Sequence, residues 1–332
     1  MGWHVRRRSA GKGRASMGDK RRLTIMLSDG LGDCLLASAF VRHFDQSGRY
    51  DCMICALPAQ AAQLYDCNPR VSRLVACADR DLWMWGLPEP EGEVFSPYAR
   101  VWPAEGADSH HEIGLRVDRP LFDLNQGTEP AWRQVAAFHG IDLKDGSPEV
   151  VTCAADEAWA ERTMQPWRGR KRVLINYRTP VVEKEYPLAQ WQMVVDALRT
   201  ETAVLELGNE GSLLVGTQLI HPLPGLRQSA ALIRRCDGVL SVDSFPAHLA
   251  AAVGTRSVVL FGPTNPSVWG HPTTTCLRTS HCPVCAYTPR LHQCKRRSCM
   301  HEIPPPLVVE TVLEMIAGNM PPACPGRGGT LC

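Results

Sequence analysis

The chain has 332 residues, 44% of them hydrophobic, with 36 Lys and Arg against 34 Asp and Glu. Because single cores stop growing near about 250 residues, this length favours two domains. The balance of charge excludes a broad basic surface of the kind that binds nucleic acid, and no apolar run reaches the roughly 20 residues that span a bilayer. We therefore expect a cytoplasmic protein that binds no nucleic acid and associates at most peripherally with membranes.

Residues 1–20 are basic, lack apolar periodicity and lead into no signal-peptide core. We interpret them as a disordered tail, or as sequence upstream of a start at Met17, and residues 318–332 as a second disordered tail. The chain has 14 cysteines, several of them within apolar patterns, where a free Cys behaves as a small hydrophobe. Without a secretory signal, a scaffold of disulfides is disfavoured.

Short apolar runs alternate with helix-like stretches through the first half. The predicted elements are a strand at 23–27, a glycine-rich turn at 28–32, a helix at 33–43, a strand at 52–56, a short helix at 59–65 and a strand at 74–77. This alternation is typical of a parallel α/β domain. We expect a Rossmann-like domain over 21–167, with prolines interrupting any long element in 78–130.

The same rhythm begins again after a boundary that we predict near residue 168. The predicted elements are strands at 173–176, 203–207, 238–242 and 257–261, and helices at 188–199, 227–236, 246–253 and 306–317. They indicate a second doubly wound α/β domain over 168–317. Ligands of such open sheets bind beyond the carboxyl ends of the strands, so the turns that follow strands are the candidate sites.

The first such turn carries Asp33. It departs from a dinucleotide fingerprint, because Leu35 stands where a third glycine is needed, and this weakens a dehydrogenase interpretation. Asp33 opens a predicted helix, so one reading is a carboxylate that interacts with free N–H groups at the helix start. The functional reading is a general base that accepts a proton from an attacking hydroxyl.

In the second domain Asp243 and Ser244 precede a predicted helix whose first turn holds Pro246 and His248. Such a helix N-terminus can receive a diphosphate on its free N–H groups. His248 is either a packed or capping histidine or part of that site. Lys184 follows the strand at 173–176; it is either a solvated charge beside two glutamates or a cation that reaches the same phosphates.

Four cysteines form the sharpest local pattern, Cys282-x2-Cys285-x8-Cys294-x4-Cys299, within a loop at 276–300 that we call the Cys-rich loop. Four thiolates with one C-x2-C pair can enclose a tetrahedral metal, zinc by default or iron. The alternatives are reduced cysteines or disulfides. With four protein ligands the site would be structural and not catalytic.

Several motifs in order resemble glycosyltransferase family 9, the lipopolysaccharide heptosyltransferase family, over about residues 22–317. They are Gly32-Asp33, Lys184-Glu185-Tyr186-Pro187, Leu207-Gly208-Asn209-Glu210, the run Asp243-Ser244-Phe245-Pro246-Ala247-His248-Leu249-Ala250, and Gly262-Pro263-Thr264. The resemblance implies a GT-B fold, in which two Rossmann-like domains face a cleft. An iron-binding cysteine cluster is a feature of related autotransporter heptosyltransferases.

The resemblance also implies residue roles. Asp33 is the catalytic base, and Lys184 is catalytic too, because it contacts the donor phosphates and stabilises the leaving charge. The other predicted residues bind the donor: Thr179 its phosphate, Glu210 the nucleoside, Asp243 the sugar, and Ser244 and Phe245 the diphosphate through their backbone N–H groups. His248 is also predicted to belong to the donor site. Phe245 stands where the family more often has Gly, which puts close approach of that backbone to the diphosphate in question.

The implied reaction is a single inverting displacement that needs no catalytic metal. The donor is a nucleotide sugar, ADP-heptose or another ADP-sugar, and the acceptor is a lipopolysaccharide-type or other lipid-linked glycan, a small glycan or a protein. Two alternatives stay open: a catalytically degenerate GT-B scaffold that binds nucleotide, and a Rossmann NAD-dependent enzyme.

Overall fold

The computed structural model describes residues 4–7, 21–27, 30–77, 92–96, 100–103, 115–118, 124–209 and 211–319. The chain divides into two compact units: Met1–Leu121 with Val135–Val151, and Phe122–Gln134 with Thr152–Cys332. Each unit contains a largely or wholly parallel sheet with helices, which confirms the predicted α/β class.

The first unit is built on a five-stranded sheet in the order β1-β4-β3-β2-β5, parallel except for β1. Its strands are β1 (His4–Arg7), β2 (Arg22–Met26), β3 (Cys52–Pro58), β4 (Arg73–Cys77) and β5 (Glu93–Phe95). A separate antiparallel pair follows, β6 (Arg100–Pro103) with β7 (Leu115–Asp118). The helices are α1 (Leu31–Leu36) and α2 (Ser38–Gln46), a 3-10 helix at Ala59–Leu64, and α3 (Ala131–Phe138), which crosses the division between the units.

Two details of this unit differ from the prediction. The stretch predicted as one helix over 33–43 forms α1 and α2, separated at Ala37. Strand β1 lies within the predicted disordered tail and pairs antiparallel with β4. An edge strand offers unpaired backbone groups to any extended segment, so this pairing needs no hydrophobic pattern that a sequence would reveal. The other residues of 1–20 lie outside the described part of the chain, as do residues 320–332 of the second tail.

The second unit contains a six-stranded, wholly parallel sheet in the order β10-β9-β8-β11-β12-β13. Its strands are β8 (Lys171–Asn176), β9 (Thr202–Leu207), β10 (Gln218–Ile220), β11 (Gly238–Val242), β12 (Ser257–Leu260) and β13 (Thr274–Leu277). The helices are α4 (Ala154–Met164), α5 (Leu188–Leu198), α6 (Leu226–Ile233), α7 (Phe245–Ala252), α8 (Pro266–Trp269), α9 (Pro289–Gln293), α10 (Ser298–His301) and α11 (Pro305–Ala317). The central strand β11 is buried along its whole length and β8 at Val173, Leu174 and Ile175, as expected for a parallel sheet covered on both faces.

Helix α4 belongs to the second unit, so the division after Val151 lies upstream of the boundary predicted near residue 168. Asp156 of α4 is buried and pairs with Arg227 of α6 at 2.8 Å, and Glu157 pairs with Arg234 and Arg235. These ion pairs attach α4 to the second sheet's helices. Hydrophobic periodicity does not reveal contacts of this kind, and so the sequence did not show that α4 belongs to the second unit.

Within the described part of the chain, none of the helices combines the length and the apolar character that a membrane span requires.

Candidate functional site

A buried ion pair lies at the carboxyl ends of the two central strands of the second unit. Asp243 directly follows β11, and Lys184 ends the 3-10 turn Val182–Lys184 in the connection after β8. The Lys184 Nζ lies 2.8 Å from Asp243 Oδ2 and 3.3 Å from the Asp243 carbonyl oxygen. The lysine side chain is 16% exposed and that of the aspartate 4%. The structure thus brings together two residues predicted to bind the donor, 59 positions apart.

The ionisation of Asp243 depends on its neighbours. Burial acts to raise the pKa of this carboxyl, but attraction by Lys184 and His248 and contact with the Thr264 hydroxyl hold the pKa below its ordinary value. Thr264 itself is fully buried, and its Oγ1 makes no hydrogen bond of normal geometry within the described residues. The charge of Lys184, not the hydroxyl, therefore dominates the stabilisation of the carboxylate.

Ser244 and Phe245 form the start of α7. Ser244 occupies the N-cap position with extended backbone and makes no side-chain cap hydrogen bond to the helix; Phe245 is the first helical residue. The Ser244 hydroxyl instead accepts a hydrogen bond from Asn176 Nδ2 at 2.9 Å, and the same amide reaches Ser241 at 3.2 Å. Asn176 ends β8, so this bond ties the helix start to the neighbouring strand.

His248 lies one turn into α7 and is buried. Its Nδ1 is 2.7 Å from Nε2 of His271, with the two rings nearly perpendicular. Burial lowers the pKa of His248, Lys184 lowers it further, and Asp243 opposes both. The packed reading of His248 is therefore correct for its environment, and the same environment contains the ion pair of the candidate site.

Thr179 lies in the connection between β8 and Lys184, partly exposed, and its Oγ1 accepts a hydrogen bond from Val181 N at 3.3 Å. This bond shapes the backbone that leads to the lysine. Glu210, assigned to the nucleoside, lies outside the described residues. Its neighbour Asn209 is described, and the Asn209 Oδ1 accepts a hydrogen bond from Leu223 N at 2.7 Å.

Asp33 lies in the first turn of α1 in the first unit and is partly exposed. Its carboxylate turns back over the helix start: a Cβ added to Gly30 would lie 2.4 Å from Asp33 Oδ2. A glycine at position 30 leaves the carboxylate this room. The helix-start reading of Asp33 agrees with this geometry, and the general-base role stays a prediction.

The four cysteines of the Cys-rich loop are free thiols. Cys285 and Cys299 are buried, whereas Cys294 is exposed. Burial raises the pKa of Cys285 and of Cys299, and Cys282 and Cys294 raise both further; Cys285 also raises the pKa of Cys299. Cys276, at the start of the loop, is disulfide-bonded, which the sequence did not indicate.

The four cysteine thiols have the chemistry of a tetrathiolate metal site, but their present positions do not form one. Among the described residues, no group of three or more His, Cys, Asp or Glu side chains is arranged to hold a metal ion. The metal site stays a prediction.

Two residues near Asp243 received no role from the sequence. Asn176 was visible only as the end of a strand, and Thr264 only as part of a matching motif. Asn125 was missed altogether: it is fully buried, and its Oδ1 accepts hydrogen bonds from Asn265 N at 2.9 Å and from Trp269 Nε1 at 3.2 Å. It thereby holds the segment that follows Thr264.

The site has the chemistry of an anion-binding centre. It combines a lysine ammonium, a helix N-terminus and a carboxylate that orients the ammonium, all at the carboxyl ends of parallel strands. A phosphate or diphosphate group matches this set, because the backbone N–H groups and the lysine can both donate to its oxygens.

Solved structures with a similar fold are glycosyltransferases. A family 9 glycosyltransferase from Veillonella parvula shares 17% identity over 92% of this chain and 100% of its own, with a TM-score of 0.68. TibC of enterotoxigenic E. coli, described as an iron-containing dodecameric glycosyltransferase, shares 15% identity over 92% of this chain and 78% of its own, with a TM-score of 0.64. E. coli heptosyltransferase WaaC with ADP shares 13% identity over 90% of this chain and all of its own, with a TM-score of 0.56.

These likenesses establish a GT-B fold. No curated protein sequence matches the chain. The family model described as glycosyltransferase family 9 (heptosyltransferase) matches residues 125–302, more than half of the chain, and this range includes Lys184, Asp243 and the four cysteines. The chain therefore belongs to glycosyltransferase family 9 and is a glycosyltransferase.

Proposed function

We propose that the protein is an inverting heptosyltransferase that uses ADP-heptose as its donor. The observation that carries the proposal is the buried Lys184–Asp243 pair beside the N-terminus of α7, a site suited to a diphosphate. Two neighbours in fold support the choice of nucleotide: TibC was solved in complex with ADP-D-beta-D-heptose, and WaaC with ADP.

In this proposal the second unit binds the donor. The Lys184 ammonium and the backbone N–H groups of Ser244 and Phe245 donate to the diphosphate oxygens, with the Thr179 hydroxyl beside them. Asp243 holds the ammonium in place and contacts the sugar, and Glu210 binds the ribose. These hydrogen-bonding groups are already in place before the reaction, so they need no reorganisation while it proceeds. Each well-placed group therefore stabilises the leaving charge by a few kcal/mol.

Asp33 is the proposed base. Its carboxylate accepts the proton of the acceptor hydroxyl while that oxygen forms a bond to the anomeric carbon. The bond from the anomeric carbon to the diphosphate oxygen breaks, and the electron pair leaves with ADP. Attack from the face opposite the leaving group inverts the anomeric configuration. Every charge that develops is met by Lys184 or by the start of α7, so the residues above suffice for the step.

The acceptor is proposed by class only. A heptosyl acceptor must present a hydroxyl, and a lipopolysaccharide-type core sugar, another glycan or a protein side chain each qualifies. The proposed donor site does not distinguish them, since its residues contact the donor and not the acceptor.

A binding panel tests the donor. We expect ADP-heptose and ADP to raise the melting temperature of the purified protein, UDP and GDP to do so less, and NAD not at all, since at equal concentration a ligand that binds more tightly stabilises the folded state more. Incubation with ADP-heptose and a mixture of candidate acceptors should release ADP. Binding of ADP without any ADP release from ADP-heptose would favour the scaffold alternative, and stabilisation by NAD alone would contradict the donor.

We further propose that Cys282, Cys285, Cys294 and Cys299 take up a structural zinc or iron ion. The support is the presence of four free thiols in one loop, with Cys282 and Cys294 near enough to raise the pKa of both buried thiols, Cys285 and Cys299. Binding must then draw the thiols together, and metal affinity becomes part of the stability of the loop.

Metal content tests this site. Protein purified under reducing conditions should contain about one zinc or iron per chain. Cys282→Ser should lose the metal and lower the melting temperature, whereas Cys52→Ser in the first unit should keep it. Metal-free protein whose melting temperature is unaffected by chelator would refute the site.

A further inference from the structure

The Cys-rich loop contacts two turns that carry site residues. The first, here the Pro263 turn, is residues 262–264 and includes Thr264; the second, the Lys184 turn, is Val182–Lys184. The N–H groups of Cys285 and Ala286 each donate to the Pro263 carbonyl at 2.9 Å. Arg297, near the end of the same loop, donates from Nη1 to the Val182 carbonyl at 2.7 Å. One loop therefore holds both turns.

The Lys184 turn has little packing of its own. None of its residues is buried, and Val182 is 50% exposed. The backbone closes the turn through hydrogen bonds from Lys184 N to Val181 O at 2.9 Å and from Glu185 N to Val182 O at 3.1 Å. These bonds define its shape but not its place on the sheet. Two contacts connect the turn to the rest of the unit: the Lys184 ammonium on Asp243, and the guanidinium of Arg297, which meets the backbone two residues before the lysine.

The backbone of Arg297 is held by the core. Its φ of 47° is left-handed, and its carbonyl accepts hydrogen bonds from Met300 N at 2.9 Å and His301 N at 3.0 Å. Met300 is fully buried and packs against Gly262, where an added Cβ would lie 2.5 Å from its sulfur. The backbone of Arg297 is thus fixed beside the Pro263 turn, while its guanidinium holds the Lys184 turn.

We propose that Arg297 is a positioning residue that keeps the Lys184 ammonium on Asp243 and ready for the donor phosphates. It acts through the Val182 carbonyl and does not touch the donor. An arginine suits this task because its charge is permanent and its planar donors lose little freedom on binding. The role of Arg297 in donor binding rests on the proposed function, whereas its positioning of Lys184 does not.

The chemical reactivity of the Lys184 amine tests whether Arg297 keeps this side chain on Asp243, and it needs no sugar donor. Intact protein is treated with trace acetic anhydride, and acetylation of each lysine is quantified by mass spectrometry. In Arg297→Ala we expect Lys184 to react about fivefold faster, as the loss of one charge-assisted hydrogen bond implies. Arg297→Lys should stay near the wild type, and so should Arg296→Ala, which removes the exposed neighbouring arginine. Lys171 serves as an internal reference in every sample.

Binding of ADP tests the consequence for the site. By calorimetry we expect Arg297→Ala to weaken ADP binding about fivefold to tenfold in the wild-type background. In a Lys184→Ala background the same change should have no further effect, because the arginine acts through that lysine. A residue with a merely structural role would weaken binding in both backgrounds. Arg297→Gln repeats the comparison if Arg297→Ala does not fold.

The outcomes separate the two proposals. If the wild type binds no ADP, the proposed donor is wrong, and the labelling result still decides the role of Arg297. Unchanged Lys184 labelling in both Arg297→Ala and Arg297→Gln would show that Arg297 does not position Lys184. Equal losses of ADP affinity with and without Lys184 would show the same.

Discussion

Two aspartates of this enzyme each follow a buried parallel strand, one in each unit, and their surroundings are opposite. Asp243 is almost completely buried, with a lysine ammonium 2.8 Å from its carboxylate. Asp33 is partly exposed, in the first turn of a six-residue helix, with its carboxylate turned toward Gly30. The same residue type, in the segment that follows a strand in each unit, therefore occupies two different electrostatic environments.

The contrast separates two chemical roles. A carboxylate that is buried against a cation, with its pKa below the ordinary value, stays an anion and takes up a proton only at great cost. It can orient a lysine but serves poorly as a base. A carboxylate that solvent reaches can accept a proton and release it again in each cycle, which is what the proposed role of Asp33 demands.

The largest effect is expected from Asp33→Asn. Loss of a general base should slow transfer by about 10²- to 10⁴-fold, because the amide cannot accept the proton. Affinity for ADP should change little, since the base acts on the acceptor and not on the diphosphate. Steady-state rates with ADP calorimetry measure both, and Asp51→Asn, an exposed carboxylate in the same unit, is the control. Near-normal turnover in the variant would remove Asp33 from the reaction.

A smaller effect, on stability, is expected from Lys184→Ala. It leaves the Asp243 carboxylate buried without its cation, which should cost about 3 kcal/mol of unfolding free energy. The control is Lys171→Ala: this lysine pairs with Asp237 at 3.0 Å but is 55% exposed, so its loss should cost less than about 1 kcal/mol. Denaturant unfolding of both variants gives the comparison. Equal losses would mean that water reaches Asp243.

The pH dependence of the same variant has a definite sign. In the wild type the folded pKa of Asp243 is lowered, so its contribution to stability is present above the ordinary carboxyl pKa and is lost as the pH falls through the folded pKa. Without Lys184, burial raises that pKa instead, and the carboxyl is more easily protonated in the folded protein. The loss of unfolding free energy in Lys184→Ala, relative to the wild type, should therefore shrink as the pH falls from 7 to 4. The corresponding loss in Lys171→Ala should not shrink.

Much of the fold was predictable because the buried strands of parallel sheets are short apolar runs. The predicted strand at 238–242 coincides with β11, and the predicted closing helix differs from α11 by one residue. Strands β10 and β13 were missed, since Gln218–Ile220 is too short to show a period and Thr274–Leu277 carries two threonines. Those strands form only because a neighbouring strand offers them backbone partners.

The site was predictable only in part, because some of its residues matter only through partners that are distant in sequence. Asp243 and Lys184 were found because a motif carries each of them, and the structure brings them together. Asn125 and His271 belong to no local pattern; each matters through a partner distant in sequence, Asn265 for the first and His248 for the second. Arg297 likewise belongs to no motif, and its contact with the Val182 carbonyl joins residues 115 positions apart.

The smallest effect concerns His248, which shares the interior of the site with Asp243, Lys184 and His271. Burial lowers its folded pKa below the ordinary value of 6.5, so the neutral ring is favoured in the folded protein. The unfolded chain binds the proton first as the pH falls, and stability that is fully present above the ordinary pKa is lost below it. One such proton changes the unfolding free energy by at most about 1.4 kcal/mol per pH unit.

Replacement by glutamine isolates this contribution. Denaturant unfolding at pH 7.5, 6.5 and 5.5, values spaced around the ordinary histidine pKa, should show a shallower decline for His248→Gln than for the wild type. His221→Gln, an exposed histidine of the same unit, should keep the wild-type slope. An unchanged slope for His248→Gln would mean that the pKa of the ring is the same in the folded and unfolded states. A steeper decline than in the wild type would mean that Asp243 outweighs burial and keeps the ring protonated in the folded protein. Asp243 would then have two cationic partners in place of one, and the contrast with Asp33 would be sharper still.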